Sequence, residues 1–494
     1  TNLYLASALI HMYVRCGALS EAKTVLESLP VRDVVTWSTL MSGYVHLGHP
    51  REALFFFEKM QREGISPNPV TFTCSLKACA TIGDIEKGKE IHADIVDMGL
   101  LHKDIILGTA LIDMYAKCGV LSTARKVLEE LPRRDIWAWS ALIAGYTDHG
   151  HGHKALECFE QLQREGISPD SITLICILKA CGNVRAIDEG KQIHNEIVSQ
   201  GLLDKEIMLG NALVDMYAKC GVLTKARQVL EELIVRDVVS WNSLIAGYVQ
   251  QGQGREAVDC FQSMKMEGFC PDVVTYSCIL KACGTTDALE KGKEIHEEIV
   301  ANGLLEKEIL LGNALVDMYV KSGLLVKAQQ VLKELPFRDI VSWSTLIAGL
   351  AQQGKGHEAL NCFEEMKRDG ISPNSITLIS VVKACGSIRA IEKGKQIHDG
   401  IINKGLFSKD VVLGTALVDM YAKFDMLAKA QEVLEEMSIS NVVSWSTLIA
   451  AYVEQEKGQE ALNCFEKMRS ISHLTLDAVT FTCALKACGL TGAI

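Results

Sequence analysis

A short polar stripe recurs on otherwise apolar segments of this chain. In the stretch TALIDMYAKCG, Thr109, Asp113 and Lys117 are four residues apart, so a helix would place them on one face. A hydroxyl at the first position can form hydrogen bonds with a flat polar ligand, and a lysine two turns later suits a phosphate. The alternative is a solvated face that carries an Asp113–Lys117 ion pair.

The stretch occurs five times, and its two ends behave differently. Its first letter always carries a short hydrogen-bonding side chain, namely Ser7, Thr109, Asn211, Asn313 and Thr415. Its ninth letter is basic in every copy, namely Arg15, Lys117, Lys219, Lys321 and Lys423. Because a merely solvated face would drift among all polar types, we favour a variable recognition position beside a fixed phosphate-binding position.

These copies belong to an internal repeat. The basic residues are 102 residues apart throughout, and each period divides into short, middle and long repeats of 31, 35 and 36 residues. Each repeat has an apolar helical segment, a glycine-containing turn and an amphipathic second helix. One such hairpin cannot bury its apolar faces alone, so neighbours must stack. The sequence therefore predicts an all-α fold, an α-solenoid superhelix of about 14 complete helix-turn-helix repeats plus a truncated final repeat.

The composition fits a globular chain and limits its function. Of 494 residues, 48% are hydrophobic and 22% are charged, and no run of eighteen apolar residues occurs, so we expect no membrane span. The net charge of −11 argues against a generic nucleic-acid binder but permits a locally basic groove. The 17 cysteines are an odd number in a sequence with no visible secretory signal, so we expect a reducing compartment and no disulfides. No C-x-x-C pair occurs, and the cysteines are expected to act as small apolar side chains.

Two further patterns could carry chemistry. His194 and His296 each begin an H-x-E segment, which is part of a zinc-deaminase signature, but the P-C-x-x-C partner is missing. We therefore predict no catalytic residue, no metal, no cofactor and no small-molecule substrate, and we expect a protein that is not an enzyme. A tryptophan recurs in every middle repeat, where core packing is favoured over a base-stacking platform: Trp37, Trp139, Trp241, Trp343 and Trp445.

The three lengths in fixed order, with ALIDMYAKCG, VVSWNSLIAGY and ILKACG followed by GKQIH, resemble the PLS subclass of pentatricopeptide repeat (PPR) proteins. The resemblance implies one continuous array over 1–494. Its S motifs are the short repeats 3–33, 105–135, 207–237, 309–339 and 411–441. Its P motifs are the middle repeats 34–68, 136–170, 238–272, 340–374 and 442–477, and its L motifs are the long repeats 69–104, 171–206, 273–308, 375–410 and the partial 478–494. The alternative is a tetratricopeptide-like protein-binding scaffold, but the unequal lengths and the missing W-x2-L-G-x2-Y pattern count against it.

The resemblance also implies that the fifth and last residues of each repeat select one base of single-stranded RNA. In chain order the pairs are Ser7/Asp33, Ser38/Asn68, Thr73/Asp104, Thr109/Asp135, Ser140/Asp170, Ile175/Glu206, Asn211/Asp237, Asn242/Asp272, Ser277/Glu308, Asn313/Asp339, Ser344/Asn374, Ile379/Asp410, Thr415/Asn441 and Ser446/Asp477. In the family, Ser or Thr with Asp favours G, Ser or Thr with Asn favours A, and Asn with Asp favours U. With the long repeats left unread, the predicted site is 5′-GAnGGnUUnUAnAG-3′, for a strand that runs parallel to the chain.

Other roles follow from the same resemblance. The second residue of a repeat is expected to sandwich bases: Val35, Ile106, Trp137, Met208, Val239, Leu310, Val341, Val412 and Val443. The basic residues of the short repeats are the expected phosphate contacts, and a lysine series in the long repeats is either a supplement or merely solvated: Lys77, Lys179, Lys281, Lys383 and Lys486.

The resemblance further suggests a cellular role. We expect a fragment that supplies RNA recognition for a plant C-to-U RNA-editing factor, without its catalytic domain and without its transit peptide. Such a protein would work in a mitochondrion or chloroplast, with editing-factor proteins as partners at the long repeats.

Overall fold

The computed structural model describes residues 3–203, 205–286, 288–403, 405, 407, 410–437, 440–471 and 476–492. Within these residues all regular secondary structure is α-helical, in 29 helices, and no helix is both long and apolar enough to span a bilayer. The chain divides into two compact units, one ending at Gly247 and one beginning at Tyr248, and each is described by itself.

Two helices form each repeat, and odd-numbered helices open the repeats. The first unit contains α1 Leu3–Arg15, α2 Leu19–Ser28, α3 Val34–His46, α4 Pro50–Arg62, α5 Pro69–Ile82, α6 Ile85–Asp97, α7 Ile105–Lys117, α8 Leu121–Glu130, α9 Ile136–Asp148, α10 Gly152–Arg164, α11 Ser171–Val184, α12 Ile187–Ser199, α13 Ile207–Lys219 and α14 Leu223–Glu232. The division between the units falls within α15, Val238–Gln250.

The second unit continues the same alternation. It contains α16 Gly254–Met266, α17 Val273–Thr285, α18 Leu289–Ala301, α19 Ile309–Lys321, α20 Leu325–Glu334, α21 Ile340–Gln352, α22 Gly356–Arg368, α23 Ser375–Ile388, α24 Ile391–Asn403, α25 Val411–Lys423, α26 Leu427–Glu436, α27 Val442–Glu454, α28 Gly458–Arg469 and α29 Ala478–Thr491. Helix α29 opens the last, partial repeat.

Side-by-side stacking of the first helices builds each unit. In the first unit α5 packs against α7 and α7 against α9, and in the second unit α19 packs against α21 and α21 against α23. The first helices are therefore largely apolar, because they are enclosed by their own second helix and by both neighbours. This arrangement confirms the predicted all-α repeat solenoid within each unit.

The recurrent tryptophans belong to this core, as do the cysteines Cys79, Cys181, Cys283 and Cys385. Trp139 and Trp343 are 2% and 1% exposed, so the core-packing interpretation is confirmed for them, and the other three tryptophans are also buried. Cys181 is fully buried, and burial raises the pKa of its thiol to about 12, as expected of a small apolar side chain and not of a nucleophile.

Buried or half-buried histidines link each complete long repeat to the short repeat that follows it. The imidazole Nδ1 of His194 lies 2.9 Å from the Tyr217 hydroxyl, and His92–Tyr115, His296–Tyr319 and His398–Tyr421 repeat this contact. Burial lowers the pKa of each of these histidines, which favours the neutral ring. Among the described residues, no group of three or more histidine, cysteine, aspartate or glutamate side chains could hold a metal.

Candidate nucleic-acid interface

The last residue of each repeat is also the N-cap of the helix that opens the next repeat. Asp135, with φ −103° and ψ 174°, precedes α9 and accepts a hydrogen bond from the backbone N–H of Ala138 at 2.9 Å. Asn374 caps α23 in the same way, through a 2.9 Å bond from the Thr377 N–H to Oδ1. Because Asp and Asn are among the best N-caps, the helix start favours the two residue types that the predicted code uses, although Glu206 and Glu308 hold this position in two long repeats.

Within the described part of the chain, six predicted base-selecting residues form a complete capping box. In this motif the side chain of the cap accepts from the third N–H of the helix, and the third side chain accepts from the N–H of the cap. The Oδ1 atoms of Asn68, Asp272 and Asn441 accept from the N–H groups of Thr71, Thr275 and Ser444 at 2.9, 2.8 and 2.9 Å. The six residues are Asp33, Asn68, Asp237, Asp272, Asp339 and Asn441.

These capping boxes add a role in the helix start to residues that the sequence analysis assigned to base selection. Their Oδ1 atoms are committed to the helix start, because each makes a hydrogen bond that the orphan N–H of the first turn needs. Asn68, Asp272 and Asn441 therefore have a structural role within the fold, in which Oδ1 accepts from the first turn of the helix. Base selection by them stays a prediction for the second terminal atom of the side chain.

The fifth residue lies beside the last residue of its own repeat. The Asn211 amide nitrogen is 3.2 Å from both carboxylate oxygens of Asp237, although the two residues are 26 positions apart. The Asn313 amide contacts Asp339 Oδ2 at 3.1 Å. In both asparagines the amide oxygen is buried and has no hydrogen-bond partner among the described residues. Two predicted pairs are therefore in direct contact, and each holds an unused acceptor.

Serine pairs in the first and second units are joined through a third residue. Ser140 Oγ lies 2.5 Å from Thr173 Oγ1, which donates to Asp170 Oδ1 at 2.6 Å. Ser344, Thr377 and Asn374 form the same chain, with distances of 2.8 Å and 2.8 Å.

Five other hydroxyls at the fifth position donate to backbone carbonyls of their own helix. These are Thr73, Thr109 and Thr415, with carbonyls four residues earlier, and Ser38 and Ser446, with carbonyls three residues earlier. The structure therefore links some predicted pairs and leaves others apart.

The second residue of each repeat is apolar and exposed. The nine predicted base-sandwich residues have exposed fractions between 51% and 65%, which is unusual for valine, isoleucine and methionine on apolar helices. Six further residues at this position share the exposure and were absent from the prediction: Tyr4, Val70, Ile172, Val274, Ile376 and Val479. The signal that would have found them is the apolar second letter, which occurs in all three repeat types.

The second, fifth and last residues of neighbouring repeats line a common cleft, and one such cleft is found in each unit. In the first unit a cleft of about 440 Å³ is lined by Ile106 and Trp137, by Thr73, Thr109 and Ser140, and by Asp135 and Lys77. In the second unit a cleft of about 1070 Å³ is lined by Val443, Val479, Ser446, Asp477 and Lys423. The residues predicted separately for base contact and base sandwiching therefore share a surface within each unit.

The charges of this surface are partly neutralised. Lys117 Nζ is 2.8 Å from Asp113 Oδ2, which is the ion pair of the solvated-face alternative, and the other three short-repeat lysines repeat it: Lys219–Asp215, Lys321–Asp317 and Lys423–Asp419. His11 replaces the aspartate in the first copy, and Arg15 has no ion pair within the described part of the chain.

Long-repeat lysines contribute a second row of positive charge. Lys77, Lys281, Lys383 and Lys486 are exposed and have no ion pair within the described ranges, whereas Lys179 pairs with Asp148 at 2.7 Å. These lysines are thus less neutralised than the predicted phosphate contacts.

First helices of the short repeats start differently from those of the middle and long repeats. Their N-caps Asp104, Glu206, Glu308 and Asp410 have ψ values of 104°, 97°, 93° and 99°. The third residue of these helices is a buried leucine, such as Leu107, where most other first helices have Thr or Ser. Glu206 and Glu308 make no side-chain cap, and Glu206 Oε1 instead accepts from Ser171 Oγ at 2.6 Å. The last residue of a long repeat therefore has a different backbone conformation from the last residues of short and middle repeats.

Fold and cleft together define the class of the molecule, which is an α-helical repeat protein whose first helices line a mixed polar and apolar cleft. The sequence profile described as PPR repeat family matches residues 32–81, 134–183, 236–285, 338–387 and 440–489. A second profile, described as PPR repeat, matches residues 5–34, 109–136, 211–238, 274–304, 313–340 and 415–442.

Similar proteins from Arabidopsis thaliana extend the match to nearly the whole chain. A chloroplastic pentatricopeptide repeat-containing protein is 34% identical over 488 residues, which cover 99% of this chain and 78% of the relative. A second chloroplastic relative is 35% identical, with coverages of 99% and 60%, and a mitochondrial relative is 35% identical, with coverages of 100% and 48%. The chain belongs to the pentatricopeptide repeat family, and it spans about half to four fifths of the length of these relatives.

Solved structures agree with the fold. The crystal structure of the maize pentatricopeptide repeat protein PPR10 is 19% identical and superposes with a TM-score of 0.54, covering 99% of this chain and 81% of PPR10. Its complex with an 18-nt psaJ RNA element superposes with a TM-score of 0.52 at 18% identity, covering 100% of this chain and 83% of PPR10. At this level of identity the likeness is one of fold.

Proposed function

We propose that this protein binds single-stranded RNA sequence-specifically, with one base for each repeat, at the site 5′-GAnGGnUUnUAnAG-3′. The observation that carries the proposal is the contact between fifth and last residues, as in Asn211–Asp237, in repeats whose equivalents line a cleft with exposed apolar side chains. Family membership and the maize PPR10 complex with RNA support the ligand class.

The N-cap bond determines whether the side-chain atom that the last residue leaves for a ligand is a hydrogen-bond donor or an acceptor. Since Asp170 Oδ1 accepts from the N–H and the hydroxyl of Thr173, its Oδ2 is the oxygen left for a ligand, and it can only accept. In Asn374 the same cap occupies Oδ1, so the amide nitrogen is left, and it can only donate. Guanine and uracil present an N–H at N1 or N3, whereas adenine presents an acceptor at N1. Asp therefore suits G and U, and Asn suits A.

The fifth residue then distinguishes a purine from a pyrimidine. A serine such as Ser140 is short and leaves room for a purine, and its oxygen can accept from the exocyclic amino group of guanine. The longer Asn211 has two amide hydrogens, so one can hold Asp237 while the other meets a uracil carbonyl oxygen. This reasoning gives the same base preferences as the resemblance to the family.

Exposed second residues supply the remaining binding energy. Ile106 and Trp137 belong to consecutive repeats and line the same cleft, so a base can insert between them. Lysines of the short and long repeats provide phosphate contacts that carry no sequence information.

In the cell we propose that the protein acts in a chloroplast or mitochondrion, as the names of its relatives indicate for them. Its role there would be RNA recognition and not catalysis, as part of a C-to-U editing factor of the PLS subclass. Editing-factor proteins at the long repeats are the proposed protein partners.

A swap of base preference tests the proposal. Asn211→Thr should change the preference at the seventh base from U to G by about tenfold, because a shorter hydroxyl replaces the amide beside Asp237. The matched control is Asn195→Thr on α12, outside the cleft, which should leave the preference at U. Binding to four RNAs that differ only at the seventh base is measured by fluorescence anisotropy, and an unchanged U preference in Asn211→Thr would contradict the proposal.

A further inference from the structure

Two buried threonines contact both members of a base-selecting pair. Thr173 is the third residue of the repeat that follows Ser140 and Asp170, and Thr377 holds the same place after Ser344 and Asn374. Both threonines are completely buried, so neither can touch RNA directly. Each hydroxyl nevertheless lies within hydrogen-bond distance of the fifth residue and of the last residue of the preceding repeat.

The hydrogens in this chain have a defined direction. The Asp170 carboxylate can only accept, so the single hydrogen of Thr173 is donated to Asp170 Oδ1 at 2.6 Å. The contact of 2.5 Å between Thr173 and Ser140 must then use the hydrogen of Ser140, which that residue shares with the Ile136 carbonyl. Ser140 is left with lone pairs only, so the pair presents two acceptors, which match the N1–H and the amino group of guanine.

This contact differs from an ordinary helix cap. Thr36 also caps its helix start, but its hydroxyl bonds only to Asp33, by donating to the carbonyl and carboxylate oxygens and accepting from the Asp33 N–H. No bond from Thr36 to Ser7, the fifth residue of that pair, is present among the described residues. Thr36 therefore has the capping function without the link to the fifth residue.

We infer that Thr173 and Thr377 are positioning residues for base selection. Each is a buried residue whose hydroxyl orients both members of the pair in the preceding repeat. This inference rests on the proposed RNA-binding function and extends it to residues that the code of fifth and last positions does not include. The hydroxyl fixes which atoms of the pair are donors and which are acceptors before RNA arrives. Preorganised polar groups discriminate better because they need no rearrangement on binding.

The test compares base selectivity in matched variants. Thr173→Val keeps the shape of the side chain and the backbone cap but removes the hydroxyl, so the preference for G over A at the fifth base should fall about fivefold. Thr173→Ser should restore it. Thr377→Val should reduce the preference for A over G at the eleventh base by a similar factor, while Thr36→Val, which loses only a cap, should leave the preference at the first base unchanged.

Affinities are measured by fluorescence anisotropy with RNAs that differ at one base, together with thermal unfolding of each variant. Unchanged selectivity in both valine variants, or an equal loss of affinity for every RNA, would overturn the inference and reduce the threonines to helix caps. If the wild-type protein does not prefer G at the fifth base, the proposed function itself fails, and the inference falls with it.

Discussion

Asp104 and Asp135 occupy corresponding positions in consecutive repeats, and each follows a threonine at the fifth position, yet the structure holds them differently. Asp135 has ψ 174° and bonds to the N–H three residues ahead, whereas Asp104 has ψ 104° and its shorter bond, at 2.9 Å, is to the N–H of Ile106, two residues ahead. The difference lies in the following helix, because α7 opens a short repeat with Leu107 at its third position and α9 opens a middle repeat with Ala138. Two repeats with the same fifth and last residues therefore need not present those side chains to a ligand in the same way.

The largest expected effect comes from making the same substitution at both aspartates. Asp135→Asn should change the preference at the fourth base from G to A, with a swing of about 30-fold, because a donor replaces the acceptor left by the cap. Asp104→Asn should change the preference at the third base by less than about threefold, since its carboxylate is held in another geometry. Binding to RNAs with G or A at these bases measures both effects. Equal changes in base preference in the two variants would contradict a different role for Asp104 and Asp135.

A second difference between the two kinds of helix start concerns packing. Four of the five short repeats have glycine at the fourth position, where middle repeats have tryptophan, and the first has Ala6. A Cβ on Gly210 would lie 2.6 Å from Leu233 Cδ2. Gly210→Ala should therefore lower the free energy of unfolding by about 1–2 kcal/mol.

The matched control for this substitution is Gly400→Ala in α24. Gly400 has no atom within 4 Å of a Cβ, so alanine should be neutral or stabilising by about 0.5–1 kcal/mol. Chemical denaturation compares the two variants, and a harmless Gly210→Ala would show that close packing does not select glycine there.

Acid should selectively destabilise the junctions that join each long repeat to the following short repeat. Burial lowers the pKa of the four histidines at these junctions below the usual 6.5, although His92 is only half-buried. Their contribution to stability is complete above the unfolded-state pKa and is lost as the pH falls below it, since the unfolded chain then binds more protons.

Hydrogen exchange at decreasing pH, corrected for the intrinsic exchange rate, measures this effect. Amides of α13 and α19 should lose protection before those of α9 and α21, which open middle repeats. A uniform loss of protection along the chain would contradict the assignment of the acid sensitivity to these histidines.

The smallest expected effect concerns the neutralised lysines. Asp113→Asn should release Lys117 from its ion pair and raise the affinity for every RNA about twofold, with a steeper dependence on salt. Glu160→Gln, which breaks the Glu160–Arg164 pair on α10, is the control and should have no effect on binding. An affinity gain restricted to one RNA sequence would contradict a phosphate role for Lys117.

The sequence was sufficient for the repeat, the helix order and the packing of Trp139, because these follow from local periodicity and apolar content. It also predicted the exposed second residue, although only in part, since Val70 and Ile172 carry the same apolar letter in the long repeats. The contact from Thr173 to Ser140 was not predictable, because it joins residues 33 positions apart through a buried hydroxyl. The unusual ψ of Asp104 likewise depends on backbone geometry that its own residue type does not encode.

The capping role of the last residues was missed for a different reason. Asn68, Asp272 and Asn441 are each followed three residues later by Thr or Ser, which is a local signal for a helix start that the sequence shows openly. The resemblance implies RNA contact for these residues, and the structure adds their hydrogen bonds to the helix. One side chain can serve both purposes, because the cap uses only one of its two terminal atoms.

Sequence-specific binding is the central claim, and one measurement tests it most directly. The affinity for GAAGGAUUAUAAAG, which is the proposed site with A at each open position, is compared with that for a shuffled RNA of equal composition at one matched salt concentration. The account predicts tighter binding to the proposed site by at least about 100-fold. Equal affinities would contradict it, because the phosphate contribution is the same for both RNAs and carries no sequence information.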